Sequence, residues 1–346
     1  MAAVPRIVVA DDSPFMRTVL GGALAAAGFD VVGSASNGDE ALAQCRALRP
    51  DAMTLDLAMP GLDGIGVLRA LRAHEAPDLP VVVVSAFSPT HGARAVDALA
   101  EGAFDLVPKP EIGEPFHGFT ETLAHRLRIA VLRHGVTLVD TPAVREDPLA
   151  TPTRTAPNGG RRAVVIAAST GGPQALARIV SELPAKVGEG VMIVQHMPAG
   201  FTSSLAARLD RESKLHVREA VAGDAFAPGT VLIAPGGSHL RLDDAHRALL
   251  SDEPAMRGLR PCADLTIADV AKAWGERTLL VVLTGMGRYG AKGARAVREA
   301  GGRVICQTAE TCTVYGMPRA VADSGLADRT FPLDEMAAAI VAEAGA

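Results

Sequence analysis

Short apolar runs, each followed by a stretch with helical spacing, recur along almost the whole chain. In the first third the runs are residues 7–10, 31–33, 53–57, 81–84 and 105–107. Helical patterns separate them. One runs from Pro14 to Ala27, with Ser13 and Pro14 as N-cap and first-turn pair; the others cover 39–48, 65–74 and 91–101. Five βα units in series imply a parallel sheet with right-handed crossovers and helices on both faces. The ends of such strands gather at one sheet edge, so the residue that closes each run matters most.

Asp11 and Asp12 follow the first run, Asp56 closes the third, Ser85 the fourth, and Lys109 follows the fifth. Three carboxylates at one edge repel unless a cation joins them, and oxygen-only ligands with solvent access suit Mg²⁺. A lysine and a hydroxyl beside them suit a phosphoryl group carried on a carboxylate. Residues 1 to about 125 resemble the receiver domain of two-component response regulators, a flavodoxin-like (βα)5 fold. The resemblance rests on Val9-Ala10-Asp11-Asp12-Ser13, on Asp56 followed by Met59-Pro60-Gly61-Leu62-Asp63-Gly64, on Ser85-Ala86 and on Lys109-Pro110. It implies that Asp56 accepts phosphate from a chemotaxis histidine kinase and that Asp11, Asp12 and Asp56 hold Mg²⁺. By the same resemblance Ser85 and Lys109 contact the phosphoryl group and transmit the change. A position of the family's switch that is often aromatic is Leu106 here.

A helical pattern at 117–133 carries Arg126, Arg128 and Arg133 on what reads as a solvated face. Residues 140–160 then bring four prolines among small and polar residues, which cannot bury a core. The expected organisation is a receiver at 1–125, a helix and proline-rich linker at 126–160 and a second domain at 161–346. A length of 346 residues suits two domains. Hydrophobic content of 48% with 21% charged residues is globular, and a net charge of −5 argues against nucleic acid as a general partner. No apolar run approaches bilayer length, and the N-terminus reads as a strand, not a signal peptide. Cys45, Cys262, Cys306 and Cys312 lack metal-binding spacing, as expected of reduced thiols in a cytoplasmic protein without membrane insertion.

The second half repeats the alternation. Apolar runs at 163–168, 191–195, 216–220, 231–235, 239–242, 278–283 and 304–306 alternate with helical patterns at 173–180, 201–211, 262–274, 289–300, 314–324 and 333–344. A doubly wound, mostly parallel α/β domain follows. Ser169 ends the first of these runs at a Gly171-Gly172-Pro173 turn into a helix. It is either a nucleophile near free helix-start N–H groups or simply the N-cap of that helix. A serine needs a base, and His196 ends the next run. The glycine-rich loop 285–290 could offer backbone N–H groups to an oxyanion, or be a turn that needs glycine dihedrals.

Residues from about 160 to 346 resemble the catalytic domain of the chemotaxis protein-glutamate methylesterases. The carrying residues are Ala168-Ser169-Thr170-Gly171-Gly172-Pro173, Val194-Gln195-His196-Met197-Pro198, Ile233-Ala234-Pro235-Gly236-Gly237-Ser238-His239, Arg260-Pro261, Leu283-Thr284-Gly285-Met286-Gly287 and Tyr315-Gly316-Met317-Pro318-Arg319-Ala320. The resemblance implies a serine hydrolase that demethylates glutamate methyl esters, and deamidates glutamines, on methyl-accepting chemoreceptors. Ser169 would attack, His196 would act as base, and groups near Thr170 and Met286 would stabilise the oxyanion. Phosphorylation at Asp56 would relieve a block by the receiver. The family's loop reads Gly-Met-Gly, one variable residue, then Asp-Gly, and its aspartate orients the histidine. Here Tyr289 stands in that place, beside Arg288, with Asp264 and Asp269 as the other acids of interest in the domain. Two expectations follow. One is an active or slow methylesterase; the other is a catalytically impaired, phosphorylation-controlled binding protein.

Overall fold

The computed structural model describes residues 4–86, 89–110, 113, 115–133 and 160–345. The proline-rich segment read as a linker lies outside the described residues, its last residue excepted. The chain falls into two compact units, Met1–Pro142 and Ala143–Ala346.

The first unit alternates throughout: β1 (Arg6–Ala10), α1 (Pro14–Ala26), β2 (Asp30–Ala35), α2 (Gly38–Leu48), β3 (Ala52–Leu55), α3 (Gly64–Ala70), β4 (Val81–Ser85), α4 (Pro89–Ala100), β5 (Asp105–Pro108) and α5 (Phe116–Arg133). Ser13 caps α1, accepting from the N–H of Met16, with Pro14 in the first turn. The five strands are parallel in the order β2-β1-β3-β4-β5. The order reverses between β1 and β3, and the crevice outside the strand ends at that switch point is where such sheets bind ligands.

The second unit runs β6 (Ala163–Ala168), α6 (Gly172–Glu182), β7 (Val191–Gln195), α7 (Phe201–Glu212), β8 (His216–Glu219), β9 (Thr230–Ile233), β10 (His239–Leu242), β11 (Ala248–Ser251), α8 (Ala263–Trp274), β12 (Thr278–Val282), α9 (Ala291–Glu299), β13 (Arg303–Gln307), α10 (Met317–Asp323), β14 (Arg329–Phe331) and α11 (Leu333–Ala344). Seven strands form one parallel sheet, β14-β13-β12-β6-β7-β9-β8, and β10 and β11 form an antiparallel hairpin. Strands β6, β7 and β12 are buried along their full length, as their unbroken apolar runs require. The chain leaves β6 for β7 on one side and returns to β12 on the other. The switch point therefore lies beside β6.

Three details differ from the sequence reading. The helix expected from Val314 starts at Met317, because Val314 and Tyr315 run alongside the end of β12 and bond to Thr284 and Gly285 instead. The helix expected from Tyr289 starts at Ala291, after Gly290 in a left-handed conformation. Strands β11 and β14 were not expected; each is short and owes its extended form to pairing with a neighbour. Among the described residues no helix is long and apolar enough to cross a membrane.

Candidate functional site

At the switch point of the second unit, three adjacent strand ends converge. Ala168 stands opposite Gln195 in the β6–β7 register, so Ser169 and His196 are the next residues on neighbouring parallel strands. The N–H of His196 donates to the Ala168 carbonyl at 3.1 Å. On the other flank the N–H of Ser169 donates to the Thr284 carbonyl at 3.0 Å, beyond the β12–β6 pairing. Serine and histidine are both buried at this edge.

Ser169 does not cap the following helix. Gly171 is the N-cap of α6, with φ at 76° and no side-chain hydrogen bond in that role. The helix N–H of Gly172 donates to the Ser169 backbone carbonyl at 2.7 Å. Of the two expectations for Ser169, the cap is thus overturned: the helix starts at Gly172, which puts the cap position two residues past the serine. A side chain at Gly171 would also collide with Thr313.

The loop after β12 closes on the serine from the side. A Cβ at Gly285 would lie 2.9 Å from Cβ of Ser169 and would overlap Sδ of Met317. Gly285 is held in place from both sides: its N–H donates to the Val314 carbonyl, and its own carbonyl accepts from Gly316 and Met317. Met286, the next residue, is half-buried, and among the described residues no acceptor takes its backbone N–H. Thr170, the other expected neighbour, is buried, and its carbonyl accepts the Thr284 hydroxyl at 2.9 Å.

Buried polar groups lock these ends together. Gln195 Nε2 donates to the Ser169 carbonyl at 2.9 Å. Thr284 takes the N–H of Val314 on its hydroxyl and gives its own N–H to Gln307 Oε1, each at 2.9 Å. Gln195, Thr284 and Gln307 had been given no part in the site. Their signal was available: each is a polar residue where a buried apolar strand runs out, and such a group must find a partner.

Tyr289 lies against His196. The two rings meet edge to face, with centroids 5.2 Å apart and planes at 73°. The tyrosine hydroxyl donates to the backbone carbonyl of Arg257 at 3.0 Å. The phenol hydroxyl is therefore directed to the Arg257 backbone. Asp264 receives the N–H groups of Gly293 (2.8 Å) and Gly290 at the start of α9. Burial, opposed by those N–H groups, raises its pKa above the ordinary carboxylate range. Asp269 is paired with Arg241, at 2.6 Å to the guanidinium, and accepts from the N–H of Leu242. Both acids are thus engaged by other groups.

The first unit carries a second polar centre at its own switch point. Asp11 is fully buried after β1, Asp12 is exposed beside it, and Asp56 is buried just past β3. One carboxylate oxygen from each lies within 4.8 Å of the others. Lys109 Nζ sits 2.8 Å from Asp11 Oδ2 and 2.6 Å from Asp56 Oδ2. Ser85 is buried at the end of β4, between the aspartates and the lysine in strand order, with its hydroxyl 3.4 Å from the Ala86 carbonyl. Burial raises the pKa of Asp11, with Lys109 pulling the other way. Burial also disfavours the Lys109 ammonium, but Asp56 and Asp11 together outweigh it and raise its pKa. A carboxylate set with only one cation fits a hard divalent ion in the crevice. Leu106 is buried within β5.

Comparison with known proteins gives two family matches. Residues 164–340 match the CheB methylesterase family, and residues 7–116 match the response regulator receiver domain. A protein-glutamate methylesterase/protein-glutamine glutaminase of Symbiobacterium thermophilum is 42% identical, over 98% of this chain and 97% of that protein. Its namesake from Thermotoga maritima is 39% identical over 95% of each. The crystal structure of the Thermotoga maritima CheB methylesterase catalytic domain is 41% identical, with a TM-score of 0.51. It covers 53% of this chain, and 98% of that structure is matched.

Proposed function

Because the chain belongs to the protein-glutamate methylesterase/protein-glutamine glutaminase family, we propose that it is a phosphorylation-regulated serine hydrolase. Its substrates are glutamate methyl esters, and certain glutamines, on chemoreceptors. The observation that carries this is the placement of Ser169 and His196 side by side at two strand ends, with Gly285 packed against the serine.

In this reading the Ser169 hydroxyl attacks the γ-carbonyl while His196 takes its proton. The tetrahedral oxyanion forms beside the loop that follows β12, where the Met286 N–H supports it together with groups at Thr170. His196 then protonates the departing methanol, or ammonia from a glutamine. Water, activated by the same imidazole, releases glutamate and restores the hydroxyl.

In the receiver, Asp56 accepts phosphate from a chemotaxis histidine kinase. Asp11, Asp12 and Asp56 would hold Mg²⁺, which supplies charge neutralisation when bound. Lys109 is already paired with two of these carboxylates, and Ser85 stands within the same row of strand ends to meet a phosphoryl oxygen. Phosphorylation then raises esterase turnover.

One observation favours a second reading, a binding protein that has lost useful turnover. The Tyr289 hydroxyl is directed to Arg257, and Asp264 and Asp269 are engaged elsewhere. A serine hydrolase lacking its orienting carboxylate loses on the order of 10⁴ in rate but keeps residual catalysis. Methanol release from methylated receptor separates the two. The expected result is turnover by the wild-type chain that falls by roughly 10³-fold or more in Ser169→Ala and in His196→Gln. Wild-type release equal to that of Ser169→Ala, with receptor binding intact, would establish the second reading.

A further inference from the structure

Tyr289 makes contacts at both ends of its side chain. The ring edge abuts His196. At the far end of the same side chain, the hydroxyl reaches the carbonyl of Arg257. Arg257 sits in a two-residue turn: Met256 and Leu259 exchange backbone hydrogen bonds at 3.0 and 3.1 Å. Arg257 (φ 52°) and Gly258 (φ 82°) are both left-handed. That pair of dihedrals is tight and is unfavourable for an arginine, so the turn benefits from an external tether.

The base of this segment is tied down separately. Arg260 donates to the carbonyls of Asp252 (3.1 Å) and Glu253 (3.3 Å), and the N–H of Cys262 donates to Nδ1 of buried His239 at 3.1 Å. Its tip is exposed, Met256 included. Tyr289 thus connects an exposed turn, one tyrosine ring away, to the imidazole that serves as base.

We propose that Tyr289 is a positioning residue whose two ends do separate work. The ring edge orients His196, and the hydroxyl holds the Met256–Leu259 turn as a wall of the approach to Ser169. This deepens the methylesterase reading and rests on it. A triad carboxylate both orients the imidazole and stabilises its charged form. An aromatic ring restricts the imidazole's rotation while itself adding no negative charge, so Tyr289 does the first job without the second. The wall is lined at its tip by an apolar side chain, Met256, that a receptor helix can cover.

The test compares full-length Tyr289→Phe and Tyr289→Leu with wild type by methanol release and by NMR of the His196 ring protons. Tyr289→Phe keeps the ring and frees the turn. It is expected to raise KM about fivefold and to reduce kcat by no more than about twofold. Tyr289→Leu removes the ring. It is expected to lower kcat by about tenfold or more through misplacement of the base. A ring-current shift of the His196 protons, of the same sign in wild type and Tyr289→Phe, is expected to be absent in Tyr289→Leu. Equal losses of kcat in the two variants would overturn the division of labour, since the hydroxyl would then be acting on the imidazole. An unchanged KM in Tyr289→Phe would overturn the wall. His196 signals unchanged in Tyr289→Leu would overturn the positioning. Should wild type be no faster than Ser169→Ala, the methylesterase reading fails, and the ring-proton shifts alone decide whether Tyr289 positions His196.

Discussion

Asp11 shows how a single side chain ties chemistry to stability. It is fully buried between Lys109 and its two acidic neighbours, and burial raises its pKa. The folded state therefore holds this proton more tightly than the unfolded chain does. That contribution favours the fold below the ordinary carboxylate range and is lost as pH rises through the raised value. A divalent cation among Asp11, Asp12 and Asp56 favours the ionised carboxylates and would stabilise the fold when bound. Thermal unfolding of the full chain is expected to show an upward shift of the receiver transition on adding millimolar Mg²⁺ at neutral pH. The shift should shrink as pH falls toward the carboxylate range and vanish in Asp11→Asn. A shift that persists in that variant would place the cation elsewhere.

Much at this scale was legible in the sequence, because the chemistry-bearing residues close apolar runs. Asp11, Asp56, Ser85, Ser169 and His196 all stand at the carboxyl end of a buried strand, and strand ends in a parallel sheet converge. What Tyr289 touches could not be read that way. Its ring partner lies 93 positions earlier and its hydrogen-bond partner 32 positions earlier, and neither distance leaves a local pattern. The cap role considered for Ser169 fails for a reason equally invisible locally: the helix starts two residues later, with Gly171 in the cap position.

At the scale of elements, the site depends on how closely the β12–α9 loop approaches the end of β6. Gly285 sets that distance. Replacing it with alanine would drive a methyl group into Cβ of Ser169, whose backbone is hydrogen-bonded on both sides, and into Sδ of the buried Met317. Gly285→Ala is expected to lower kcat by about tenfold or more and to destabilise the second unit by about 1–3 kcal/mol. Steady-state kinetics and urea unfolding check the two halves. A variant with wild-type kcat would show that the approach does not matter to the chemistry. Long apolar strands and their helices were recoverable from periodicity alone. Strands β11 and β14, of four and three residues, were not, since pairing rather than composition makes them extended. The start of α10 was misjudged for a related reason. Val314 and Tyr315 carry helical spacing, but their backbone groups are taken by Thr284 and Gly285 across the sheet edge.

Across the whole molecule, two parallel sheets each place their polar centre at a switch point: carboxylates and a lysine in one, a serine and a histidine in the other. Residues 7–116 match the response regulator receiver domain and residues 164–340 the CheB methylesterase family. The central claim is that Ser169 and His196 turn over methyl esters in this chain although Tyr289 stands where relatives are expected to carry aspartate. The most direct measurement is methanol release from methylated receptor by the phosphorylated full-length chain, with Tyr289→Asp and Ser169→Ala beside wild type. The account predicts wild-type release clearly above Ser169→Ala and a faster Tyr289→Asp, by at most about 10⁴-fold, the cost of a missing triad carboxylate. Wild-type release indistinguishable from Ser169→Ala, with activity appearing only in Tyr289→Asp, would contradict it.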